Sequence, residues 1–217
     1  MLPFSLDQFL AVFVTYNEAV WPAQVLAYLL GLLMVVFTIW PSNQRSRVVA
    51  TGLAVMWLWT GVAYHGMHFS TISAGAWGFA ALFVIQSLLF VEAGVLRGRL
   101  VFGPAKGWTG WLGWALVAYA SIGYPLLGQL LAHGYPAIPM FGITPCPVTI
   151  FTFGLFLLTT EPLPRPLLVI PVIWSLIGGQ AAFRLGITQD WLLFFSGLTV
   201  IVMLSRDHKR QQPISKS

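Results

Sequence analysis

Charge is what this 217-residue sequence has least of: Asp, Glu, Lys and Arg together make up 8% of it. A water-soluble domain carries about a quarter charged residues, because its surface must face water. So sparse a supply excludes an ordinary soluble globule. Cysteine is nearly absent as well. The single Cys146 permits no intrachain disulfide, so cysteine usage says nothing about compartment. The opening MLPFSLDQF holds no Lys or Arg and lacks the basic n-region of a cleavable signal, so the whole chain is expected to be mature protein. No Walker loop, dinucleotide fingerprint, GxSxG elbow or HExxH occurs. Nucleotide-driven transport and familiar hydrolysis therefore find no support, and an enzyme is the less expected outcome.

What is abundant is apolar. Hydrophobic residues reach 58% and lie in long blocks without the polar stripe of a surface helix, as when lipid is the solvent. Ten Trp and six Tyr suit the membrane interface. The expected fold class is all-α, a polytopic membrane helix bundle. Seven runs qualify: Val20–Trp40, Val48–Phe69, Ala74–Leu96, Gly110–Leu131, Pro147–Thr160, Pro166–Phe183 and Thr188–Leu204. The fifth is short for a span unless Phe141–Cys146 adds to it. Residues 20–204 then form the bundle. Residues 1–19 precede it as an interfacial amphipathic helix, with Leu6, Phe9, Leu10, Phe13 and Val14 at helical spacing. Residues 205–217 follow as a disordered basic tail against anionic head groups.

Orientation follows from counting. Arg45, Arg47, Arg97, Arg99, Lys106, Arg165, Arg206, Lys209, Arg210 and Lys216 fall on one side of the seven runs, and Arg184 alone on the other. The positive-inside rule makes the first side cytoplasmic and the N-terminus external. A six-span arrangement would break this alternation. The net charge of +5 is thus a topological signal and does not point to nucleic acid. The expected partners are the lipid bilayer, a small solute or ion, and a second copy or a membrane-complex partner.

Seven spans divide as three, one and three. A shift of 114 residues brings Pro22 onto Pro136, Phe37-Thr38 onto Phe151-Thr152, Phe69 onto Phe183 and Trp77 onto Trp191. Parallel three-helix repeats joined by a linker helix occur in sugar exporters of the SWEET type, a resemblance of architecture alone. A second resemblance is local. YHGMHFSTISAGAWGFAALFVIQSLLF (Tyr64–Phe90) and FGITPCPVTIFTFG (Phe141–Gly154) are similar to stretches of a bacterial family of small multi-span membrane proteins of unknown function. That resemblance implies a multi-pass bacterial membrane protein and carries over no activity.

Candidate functional residues gather toward the external side. His65 and His68 are three residues apart near the end of the second run, a spacing that puts both imidazoles on one helix face. They could share a metal or a proton, with His133, Cys146, Met67 and Met140 as further ligands; equally, they could bridge helix ends and water. Gly134–Pro147 holds four prolines in fourteen residues, which forbids a regular helix, yet it is apolar and uncharged. It is expected to pack over the outer mouth of the bundle, enclosing a cavity lined by His65 or His68, because non-helical backbone at membrane depth must be buried or line a wet cavity; the alternative is a compact hydrophobic surface loop. Thr144-Pro145-Cys146-Pro147 leads into a helix whose free amides could polarise a ligand or activate the thiol. Arg184, just after Gln180, is expected to pair with Asp190, Glu18 or Asp7, or to attract an anion to a pore mouth. Glu92 suggests a cation or proton pathway, unless it snorkels to Arg97 or Arg99. Gln86, deeper in the same run, is expected to bond a neighbouring helix. Three functions stay open. The first is a small-solute transporter or channel whose gate or path uses His65, His68, Gln180, Arg184, Glu92, Thr144 and Cys146. The second is a metal- or haem-binding protein using His65, His68, His133 and Cys146, although nothing in the sequence requires a cofactor. The third is an accessory subunit that buries a partner's helices.

Overall fold

The computed structural model describes residues 3–131, 134–187 and 190–211, with side chains as far as 202. The described residues are all-helical, with no named strand. Helix α1 (Leu6–Ala19) starts on a reciprocal cap: Ser5 Oγ accepts from the Gln8 amide, and Gln8 Oε1 accepts from the Ser5 amide. It is followed by α2 (Ala23–Ile39), and the two are bent by 85°. Pro22 lies between them and cannot donate to a continuing helical ladder. Helix α3 (Asn43–Trp59) is capped by Ser42 and runs straight into a π-helical segment, Thr60–His68. Helix α4 (Ala76–Phe90) ends the same way in Val91–Leu96. Helix α5 (Gly107–Ala118) passes through Tyr119–Gly123 into α6 (Tyr124–Leu130). Then come α7 (Pro145–Leu157), α8 (Pro166–Leu185), closed by left-handed Gly186, and α9 (Trp191–Gln211).

Three rods are long and apolar enough to cross a membrane: Asn43–Thr71, Ala76–Leu96 and Pro166–Leu185. The bent pair α1–α2 makes a fourth if it is one span. The seven apolar runs therefore map unevenly onto helices. The fifth run becomes α7, whose thirteen residues rise about 20 Å at 1.5 Å each. That is short of a hydrocarbon core of roughly 30 Å. All thirteen are buried, so α7 is the axis of the bundle and presents no lipid-facing side. Helices α3, α5, α8 and α9 surround it.

Close approach to α7 depends on small residues. A Cβ on Gly154 would meet the Gly113 carbonyl oxygen at 2.8 Å, so α5 and α7 cross almost backbone to backbone. On the α3 side, Trp57 Nε1 donates to Thr152 Oγ1 at 2.9 Å. Gln86 bonds to a neighbouring helix as expected, donating to the Leu167 carbonyl of α8 at 3.1 Å. That carbonyl is available because Pro171, four residues on, has no amide to offer it. At the arginine-bearing end, the chain around Phe102 pairs with Thr159: Gly103 donates to Leu158 O and Thr160 to Val101 O, both at 2.9 Å. Backbone helix continues through 205–211, where the sequence has no apolar periodicity; 212–217 lie outside the described residues.

Candidate functional site

Helix α1 is amphipathic, and its apolar face packs on the bundle. Val12, Phe13 and Tyr16 are buried with Tyr64, Phe69, Ala76 and Ile143. Its polar residues clamp the proline-rich loop. Asn17 Nδ2 donates to the Pro136 and Ile138 carbonyls at 2.7 and 2.8 Å, and the Tyr16 hydroxyl donates to Ile143 O at 2.7 Å. Gln24 and Trp59 brace the clamp by donating to Asn17 O and to the Tyr16 hydroxyl. The loop is folded inward, with Ile138, Phe141, Ile143 and Thr144 all buried. Its Pro145 and Pro147 are both taken into the first turn of α7, where a missing amide costs nothing.

Beneath this cover lies a cavity of about 190 Å³. Phe9 and Phe13 of α1, Phe69, Phe79 and Trp174 supply its apolar walls. The polar groups that reach it are few: Tyr64, Ser73, Cys146, Gln180 and Asp190. Asp190 is buried immediately before α9 and accepts a hydrogen bond from the Tyr124 hydroxyl. The Cys146 thiol faces the same carboxyl, the Tyr124 hydroxyl and the Trp174 indole. Four segments thus converge: Tyr124 at the start of α6, Cys146 in the first turn of α7, Trp174 in α8 and Asp190 immediately before α9. Tyr64 stands on the π segment after α3, and Tyr124 immediately follows another. Such wide turns recur at functional sites, because they rotate side chains out of the ordinary helical register.

The cavity lining takes Tyr64 where the sequence spacing pointed to His65 or His68. A π-helical turn closes through i→i+5 bonds, so residues three apart no longer stack on one face. His65 is fully buried, enclosed by Tyr64, Phe69, Phe79, Phe83 and Trp174 with ring centroids 4.8–5.9 Å away. Neither of its ring nitrogens has a hydrogen-bond partner. His68 is half-buried elsewhere, with Nδ1 2.9 Å from Ala63 O and its ring edge-on to Tyr16. Among the described residues no three His, Cys, Asp or Glu side chains gather to hold a metal. His133 lies outside the described residues.

The remaining candidates separate. Gln180 is exposed at the cavity, whereas Arg184 is exposed on the last turn of α8 and is not among the lining residues. Asp190 takes its bond from Tyr124, and no described ion pair joins it to Arg184. Glu92 pairs with Arg97 at 2.5 Å, both partly exposed, at the other end of the bundle. Thr144 is buried, and its hydroxyl donates to Met140 O at 2.7 Å within the loop. Sequence reasoning missed Tyr64, Tyr124 and Trp174 and treated Asp190 only as a partner for Arg184. The signal for Asp190 was available: it falls inside the run Thr188–Leu204, and a carboxyl within an apolar run marks a functional position by default.

No curated protein and no solved structure matches this chain. A family of unknown function, DUF6064, matches residues 6–216, and the chain belongs to that family.

Proposed function

We propose that this chain is a multi-pass protein of the bacterial cytoplasmic membrane that admits a small solute to the cavity beneath α1 and passes it through the bundle. The observation that carries this reading is the cavity itself. It is concave, mostly apolar, and reached by a few converging polar groups, Tyr64, Ser73, Cys146, Gln180 and Asp190, which is the general form of a small-molecule site. The seven apolar runs and the alternation of basic residues support membrane crossing, with the N-terminus outside. Short α7 fits that picture because the apolar loop before it is buried in protein, the condition for non-helical backbone at membrane depth. The clamp from Asn17 and Tyr16 joins α1 and the loop into one cover over the solute site.

Ala181 lines the cavity and tests the path. A single cysteine at Ala181→Cys, on a Cys146→Ser background, is exposed to a small membrane-impermeant thiol reagent in sealed vesicles of both orientations. A solute path predicts labelling from the external side and slower labelling from the cytoplasmic side. Labelling from the external side alone makes the cavity a receptor pocket and contradicts transport. Protection on both sides until the protein is unfolded contradicts the solute site altogether.

A further inference from the structure

We propose that the cavity selects small organic cations, an ammonium group carrying an apolar body of about half a dozen non-hydrogen atoms or fewer. This assignment rests on reading the cavity as a solute site and names the class of solute. The deciding group is Asp190. It is 3% exposed, lines the cavity, and takes its side-chain hydrogen bonds from neutral donors, the Tyr124 hydroxyl and the Cys146 thiol. No Lys, Arg or His pairs with it among the described residues, whose one ion pair, Arg97 with Glu92, lies elsewhere. A carboxylate taken out of water without a countercharge is costly, and a bound cation would supply the missing charge.

The walls agree with the charge. Phe13, Tyr64, Phe69, Phe79 and Trp174 line the same space, and aromatic rings attract cations through their quadrupole, quaternary ammonium above all. Among the described lining residues there is no basic side chain to favour an anion. A divalent metal ion fits less well, since among the described lining residues Asp190 is the one carboxylate and the other side-chain oxygens, on Tyr64, Ser73 and Gln180, are neutral. Size sets the upper limit. A cavity of about 190 Å³ holds roughly six groups of the ~30 Å³ that a water occupies in the liquid.

The test is isothermal titration of the full chain in detergent with n-butylammonium and its neutral isostere butan-1-ol. Wild-type protein is expected to bind the ammonium at least roughly tenfold more tightly, the discrimination supplied by ~1.4 kcal/mol. Asp190→Asn, which keeps the acceptor for Tyr124, is expected to bring the two affinities together. Should that variant fail to elute as a single species, Trp174→Leu serves instead and should weaken the ammonium while sparing the alcohol. Preference retained in Asp190→Asn, or ammonium binding unaltered in Trp174→Leu, contradicts the assignment. Equal binding of both probes by wild-type, lost for both in cavity-filling Ala181→Leu, overturns the cation class and leaves the solute site standing. Absence of binding for both probes, in wild-type and Ala181→Leu alike, overturns the two together.

Discussion

At the residue scale, the buried polar groups organise the interior, and each can be followed to its partner. Pro171 sits inside α8, so the Leu167 carbonyl has no amide four residues on, and Gln86 of α4 donates to it. Gln86→Ala should therefore destabilise the protein by about 1 kcal/mol, the scale of a hydrogen bond between membrane helices. In a Pro171→Ala background the Leu167 carbonyl regains a bond within its own helix, so the same change should cost measurably less. Unfolding titrations of the four proteins in detergent give the coupling, and strictly additive effects would contradict this pairing. The Gln86 bond was legible in the sequence as a polar group deep in an apolar run. Asp190 was legible by the same rule, but its partners were not. Tyr124, Cys146 and Trp174 stand 66, 44 and 16 residues before it. Only the packing of α6, α7 and α8 brings them together.

At the element scale, the amphipathic start and the apolar rods were readable, because each depends on local spacing. The π-helical segments were not. Their wide turns alter which side chains share a face, and this is why His65 and His68, adjacent on an ordinary helix face, have separate surroundings. The proline-rich loop was legible as non-helical and inward-packed, since its composition is apolar and poor in amides. Its attachment to α1 was hidden, because Asn17 reaches carbonyls 119 and 121 residues away. Asn17→Ala removes both donors. Amide exchange within residues 137–143 should then rise by roughly tenfold or more, the effect of losing ~1.4 kcal/mol of local stability. Amides of α4 should be unchanged. Exchange raised equally throughout the bundle would mean that Asn17 supports the whole fold and does not specifically hold the loop.

At the scale of the whole molecule, composition was the strongest signal, since charges too few to coat a globule pointed to the all-helical chain with long apolar rods that the structure shows. Span counting was weaker. The hydropathy pattern cannot distinguish a rod facing lipid from α7, a thirteen-residue helix enclosed on every side by protein. The functional account stands on one arrangement: the bundle crosses the bilayer with the cavity mouth and the proline-rich loop outside and the arginine-bearing loops inside. Single cysteines at Ser70, Gly134 and Ser205, each on a Cys146→Ser background, test it in intact cells with an impermeant maleimide. Ser70→Cys and Gly134→Cys should label from outside, and Ser205→Cys only after permeabilisation. Labelling of Ser205→Cys in intact cells, or protection of the other two until the cells are permeabilised, would contradict the arrangement and with it the outward-facing solute site.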